Sequence, residues 1–238
     1  MTEARTIAGA PRRRLRADAV RNRERLLAAA RDVIVEQGAD APLDEIARRA
    51  GVGIATLYRR FPDRPALLHG VALDLLSRSA HEASSALDAE PDAFAALARY
   101  LHRMLDLGIS AVMPALIGQL RLDEELLDAR RASAKAVAAI VAAARADGSL
   151  RGDVTEGDVG LLLVRLARPL PGPFPPEANR QLAHRHLNLV LDGLRSQAAP
   201  GAPLAGPAMT FDDLAAMAAP SSPDRRQPDP RPTERSTP

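Results

Sequence analysis

The stretch "GVGIATLYRRFPDR", residues 51–64, gathers one of two tyrosines, one of four phenylalanines and three arginines behind a glycine-rich turn. Guanidinium, phenol and threonine hydroxyl groups at this density suit binding to phosphate oxygens and base edges rather than bond breaking. At 100° per residue, Ile54, Leu57, Tyr58 and Phe61 share one side of a short helix, and Ala55, Thr56, Arg59 and Arg60 share the other. Phe61 is then a core anchor. Tyr58 stands at the boundary, its ring buried and its hydroxyl directed toward a phosphate.

Other chemistry is thin. The chain has no cysteine, which removes disulfides, thiolate metal sites and cysteine nucleophiles. His184 and His186 are two residues apart and so fall on opposed sides of a helix, unlike an i, i+4 zinc pair. The acidic "DEE" at 123–125 opens a helix, where carboxylates favour the dipole. No nucleophile elbow, phosphate loop or dinucleotide fingerprint occurs. The sequence predicts no enzyme, no cofactor and no metal.

Charge is unevenly placed. Residues 1–70 hold 14 Arg against 9 Asp plus Glu, although the whole chain has a net charge of only +2. Positive charge gathered at one end suits a polyanionic partner, though such a run also fits a merely solvated face. The longest apolar run, "AVAAIVAAA" at 136–144, falls far short of the roughly 18 residues of a membrane span, and no apolar segment follows the basic start. The expectation is a cytoplasmic protein with no membrane partner.

The elements that must position these groups follow from periodicity and punctuation. Residues 1–16, with Pro11 and Arg12, Arg13, Arg14 and Arg16, read as a flexible basic arm. A helix follows over about 17–37, with Leu26, Leu27, Ala30, Val33 and Ile34 on one stripe and Gly38 ending it. A second short helix lies in "DAPLDEIARRAG", with Asp40 as candidate cap, and a third spans about 53–60, stopped by Phe61-Pro62. Asp63 caps a fourth carrying Leu67, Leu68, Val71, Leu75 and Leu76. Further helical patterns occupy roughly 92–107, 110–121, 123–147, 155–168 and 177–196. The fold class is all-α with about nine helices. The connector "PLPGPFPPE", 169–177, is too proline-rich for helix, and the tail 197–238 holds nine of the 20 prolines and reads as disordered. One exception there is "TFDDLAAMAA", where Thr210 suits a cap.

A helix-turn-helix needs a small residue at the crossing, a glycine in the turn and apolar residues that fix the angle. Ala47, Gly51 and the set Ile46, Ala50, Val52 and Leu57 fill those places. The segment "DEIARRAGVGIATLYRRFPDRPALL" resembles the helix-turn-helix of the TetR/AcrR family of bacterial transcription repressors. That family usually reads IA-x-x-A-G-V-S, then G-T-L-Y-x-H-F and a Lys near the start of the fourth helix. The likeness covers roughly 20–70, and the later helices fit by number, length and order.

By position, the resemblance implies that Thr56 faces base edges or backbone, that Tyr58 and Arg60 contact phosphate, and that Arg64 stands at the usual lysine. Ala55 replaces a usual glycine, and Pro42 replaces a usual threonine or serine. Gly53 and Ile54 stand where polar residues are more usual, which shifts base readout toward Arg59 and the amino-terminal arm. For Arg12, Arg13 and Arg14, minor-groove insertion and a plain solubilising arm both remain open.

The resemblance further implies domains at 17–65 for DNA, with the motif at about 42–61, and at 66–196 for ligand binding and dimerisation. One short recognition helix makes few contacts, so two copies on a palindromic operator are expected. Two leucine-rich stripes suit a four-helix dimer bundle, with ordinary intrachain core as the alternative: Val159, Leu162, Leu163 and Leu166, then Leu187, Val190, Leu191 and Leu194. Polar or soft residues on apolar faces mark a pocket for a small-molecule effector: Tyr100, Arg103, Met104, Met113, Gln119 and Arg165, with Phe174 as a lid. The expected function is a homodimeric, ligand-released repressor. Two rivals are an unspecific DNA-binding structural protein and a small-molecule binding protein with a vestigial helix-turn-helix.

Overall fold

The computed structural model describes residues 10–196 and Thr210, with side chains at Asp18 and from Val20 onward. Nine helices follow in order among the described residues: α1 Ala10–Gln37, α2 Leu43–Arg49, α3 Ile54–Arg60, α4 Arg64–Ala89, α5 Ala93–Leu107, α6 Ile109–Ala115, α7 Glu124–Ala146, α8 Glu156–Leu166 and α9 Pro176–Leu194. No strand occurs among these residues. One isolated bridge, Leu150 to Arg195, ties the end of α9 to the turn before α8.

Short polar residues cap four of the helices, α4, α5, α7 and α8. Asp63 accepts from Ala66 N at 2.8 Å, Asp92 from Ala95 N at 2.7 Å and Asp123 from Leu126 N at 2.9 Å. Thr155 and Asp158 close a reciprocal capping box at α8. The proposed Asp40 cap does not form, because α2 starts later: Pro42 is its N-cap and makes no side-chain bond. Likewise α1 begins at Ala10, so 10–16 belongs to a helix and not to a flexible arm. Arginine is a good helix former and Pro11 fits a first turn, so nothing between Ala10 and Ala17 breaks the helix. The predicted helix over 110–121 runs instead from Ile109 to Ala115, with Pro114 inside it and Gly118 at φ +84° in the turn that follows. The tail from Gln197 lies outside the described residues, apart from Thr210.

Two apolar cores share α4. The first takes Leu67, Leu68, Val71, Ala72, Leu75 and Leu76 from its first half and packs them against α1, α2 and α3. It also recruits Val112 of α6, Leu116 and Leu126 of α7, so the head is built partly from the later sequence. The second takes Ala83 and Ala86 from the far half of α4, together with α5, α7, α8 and α9. Helix α4 makes its largest contact with α7.

Candidate nucleic-acid interface and effector core

The reading helix is fixed from both ends. Gly51 closes the turn after α2 at φ +66°, a left-handed conformation open to glycine, and Val52 N donates to Ala47 O at 3.0 Å. At the far end Phe61 N donates to Leu57 O at 2.8 Å before Pro62 stops the helix. Leu57 is fully buried and Phe61 nearly so. The ring of Phe61 occupies space that Gly70 leaves open, since a Cβ on Gly70 would stand 2.8 Å from Phe61 Cε1. The guanidinium of Arg23 covers the same ring from α1, its Cζ 5.5 Å from the centroid.

The opposite surface of α3 faces outward. Ala55, Arg59 and Arg60 are exposed and Thr56 is half-buried. Arg59 Nη2 lies 3.5 Å from Thr56 Oγ1, a contact too long to fix either group firmly. Thr56, Arg59 and Arg60 share a cleft of about 250 Å³ with Asp18, Asn22, Arg23 and Leu26 of α1. The sequence did not single out this α1 wall. Tyr58 departs from expectation: its side chain is 49% exposed. One residue past Leu57 turns it 100° from the buried direction, whereas Phe61, four residues on, returns to within 40°.

Several arginines near the head are already paired. Arg48 bonds Glu45 at 2.7 Å, and Arg49 bonds Glu36 at 2.7 Å and Glu45 at 3.3 Å. The hydrogen bond from Arg48 holds the Glu45 carboxyl below its ordinary range, and Arg49 does the same to Glu36. Arg64, at the usual lysine place, has its Nη1 donating to Ala39 O at 2.8 Å and Ala41 O at 2.7 Å. It thereby ties the first residue of α4 to the loop between α1 and α2. Arg12, Arg13 and Arg14 lie in the first turns of α1, and their side chains are outside the described residues.

The residues expected around an effector divide. Tyr100 and Met104 are buried together in the second core. Tyr100 Oη and Ser79 Oγ lie 2.9 Å apart, and Ser133 Oγ donates to Ser79 Oγ at 2.8 Å. Burial pushes the Tyr100 phenol up to about 12, partly offset by its bond with Ser79. Met113 instead packs against the first core. Arg103 is on the surface between Glu82 and Asp106, at 3.3 and 3.6 Å. Gln119, Arg165 and Phe174 are also exposed, in the turn after α6, on the outer face of α8 and in the proline-rich connector. The charged and amide groups of Arg103, Gln119 and Arg165 keep water, which is why those three do not join Tyr100.

The dimer stripes point inward instead. Val159, Leu163, Leu187, Leu191 and Leu194 are buried in the chain's own second core, with Leu162, Leu166 and Val190 partly buried against it. The outer surfaces of the same helices carry Leu161, 37% exposed, and Leu189, 62% exposed. Histidine also found a partner that spacing did not reveal. His184 Nδ1 lies 2.7 Å from His102 Nδ1, His102 Nε2 is 2.9 Å from Asn188 Oδ1 and His184 Nε2 is 3.0 Å from Asp106 Oδ1, joining α5 to α9.

Comparison with known proteins follows this division. Residues 26–71 match the family model of bacterial regulatory proteins of the tetR family, and 92–196 match that of the SbtR-like transcriptional regulator C-terminal domain. A TetR transcriptional regulator of Streptomyces coelicolor is 34% identical, with a TM-score of 0.56, covering 74% of this chain and 99% of that one. A TetR regulatory protein of Mycobacterium vanbaalenii is 33% identical, with a TM-score of 0.54, covering 76% and 99%. The TetR-like regulator LfrR of Mycobacterium smegmatis, solved with proflavine, shares the fold at 22% identity and a TM-score of 0.52, covering 76% and 99%. No curated protein matches. On the two family models and the relatives above 30% identity, this chain belongs to the TetR family of transcription regulators.

Proposed function

We propose that the protein is a homodimeric repressor which occupies a palindromic operator in the cytoplasm and leaves it when a small-molecule effector binds. It acts by binding and not by catalysis. The observation that carries this reading is the division of α3: Leu57 and Phe61 buried, Ala55, Tyr58, Arg59 and Arg60 exposed. Thr56 and Arg59 are placed for base edges in a major groove, while Tyr58 and Arg60 are placed for its phosphates. Arg64 positions the motif from behind, through Ala39 and Ala41.

Two copies would place their reading helices in successive major grooves, roughly 34 to 36 Å apart. The outer faces of α8 and α9, with Leu161 and Leu189, supply the bundle surface for the second copy. The effector would bind the body among α4, α5 and α7 near Tyr100 and Met104, and favour an arrangement in which the two heads are wrongly spaced.

Gel-shift titrations against the DNA beside the protein's own gene, and against random DNA, at several salt concentrations test this. Arg60→Ala should weaken both DNAs alike and reduce the salt slope by about one. Thr56→Ala should change the ratio between them. Equal losses for both variants on both DNAs would refute the division of roles.

A further inference from the structure

The second core contains a polar feature that its packing alone does not require. Among the described residues only two polar side chains other than tyrosine are buried, Ser79 and Ser133, and both belong to one string with Tyr100. The string joins three helices: Ser79 on α4, Tyr100 on α5 and Ser133 on α7. Three hydroxyl groups bring three hydrogens. The two bonds among them, at 2.9 and 2.8 Å, use two, and no other acceptor meets these oxygens among the described residues. Ser133 donates to Ser79, so the surplus hydrogen rests on Ser79 or Tyr100 according to which of that pair donates. A buried donor without an acceptor is costly, and a molecule supplying an acceptor gains a bond without giving one up.

We propose that this string is the polar handle of the effector site, and that the effector is an uncharged, mainly apolar molecule carrying an acceptor oxygen: a ketone, ester or amide. The inference rests on the ligand-responsive reading above and names the chemical class that reading leaves open. The core to which Tyr100 belongs is otherwise apolar, with Leu97, Leu101, Met104, Val137 and Ile140 among its buried members. No charged side chain is fully buried among the described residues, so an ionised ligand would lose its hydration with no counter-charge to meet it. Met104 is unbranched and fully buried, the side chain best able to repack around an added chain.

The same site has leverage on the head. Ser79 sits on the helix that carries Leu67 to Leu76 into the first core. An acceptor that takes the surplus hydrogen must part α4 from α5 or α7, so it binds better to an opened arrangement than to the closed one. That difference in affinity is what allows a ligand to shift a conformational equilibrium.

Titration calorimetry on the full chain without DNA tests the class. The probes are methyl ketones, methyl esters and primary amides of eight to twelve carbons, against the carboxylates, alkylammonium ions and alkanes of the same lengths. At least one neutral oxygen-bearing series should bind, tenfold or more tighter than its matched alkane, with the ionised probes weaker still. Removing the whole string, Ser79→Ala, Tyr100→Phe and Ser133→Ala together, should weaken that binding about tenfold, the loss of one hydrogen bond, with the helical circular dichroism unchanged, because any hydroxyl left behind keeps a spare hydrogen. If the variant does not fold, the comparison of ketone with alkane on the unaltered protein decides the matter. Equal affinity for alkane and ketone, equal affinity for the ionised probes, no binding by any neutral probe, or an indifferent folded triple variant would each overturn the proposal. Gel shifts on the same sample separate this from the regulator reading, since loss of DNA binding with intact ketone binding would strike only the latter.

Discussion

The two cores share one helix but are built for different demands. The head core is apolar throughout its buried members, Leu26, Leu57, Leu67, Val71 and Phe61 among them. The body core holds a hydroxyl string between α4, α5 and α7. An apolar jigsaw has one good solution, because any shift loses dispersion contacts. Hydrogen bonds between hydroxyls can be exchanged for bonds to a guest. The contrast places rigidity where a fixed helix must match a groove, and adjustability where a ligand is to be sensed.

The sharpest way to break this comparison is to empty the head core. Phe61→Ala removes a buried ring from beneath α3 and should cost about 3 to 5 kcal/mol of head stability. Operator binding should fall more than a hundredfold, while ketone binding in the body changes only a few-fold, read by gel shift and calorimetry on one preparation. Equal collapse of both activities would show that the cores melt as a single unit and that the division is only geometric.

The body gives the next largest effect, and its sign follows from linkage. Burial raises the Tyr100 phenol to about 12, above the roughly 10 it has in the unfolded chain. The folded state therefore keeps a proton that the unfolded state releases, and stability falls as pH rises from about 10 through about 12. The loss should approach about 2 to 3 kcal/mol by the upper end. Urea unfolding across this range measures it, and Tyr100→Phe should flatten the profile relative to the parent. Coincident profiles for the two proteins would mean that the phenol is solvated.

How much of this was legible depends on distance along the chain. The helices and most of their ends are set by residues within four positions: Asp63 caps α4, Gly38 follows α1 and Pro62 follows α3. The buried and outward sides of α3 follow from the same local period, except at Tyr58, which sits on the boundary. What did not show locally is pairing between remote elements. A leucine stripe on α8 or α9 reads alike whether it faces its own core or a second copy, and here the stripe turned inward. Arg64 sits at a position that invites a phosphate, yet Ala39 O and Ala41 O, some 25 residues earlier, take its guanidinium. Ser79 and Ser133 carried a signal that went unused, each a polar residue on an otherwise apolar stripe.

Gly70 offers the smallest and most discriminating test. Mid-helix glycine normally weakens a helix, so alanine there should gain roughly 1 kcal/mol from propensity alone. The head's packing opposes this, because the new Cβ would lie 2.8 Å from Phe61 Cε1 and 3.6 Å from Leu27 Cδ2. Overpacking of this kind costs about 1 to 3 kcal/mol, so a net loss of about 1 kcal/mol is expected. The ring cannot swing away cheaply, since it is buried in the first core and covered by Arg23. Gly70→Ala should therefore lower the midpoint of unfolding and weaken specific more than random DNA binding, by tilting α3 and leaving its charges in place. A stabilised variant with unaltered operator preference would show that Phe61 has room to move, and that the head is less tightly specified than its apolar core suggests.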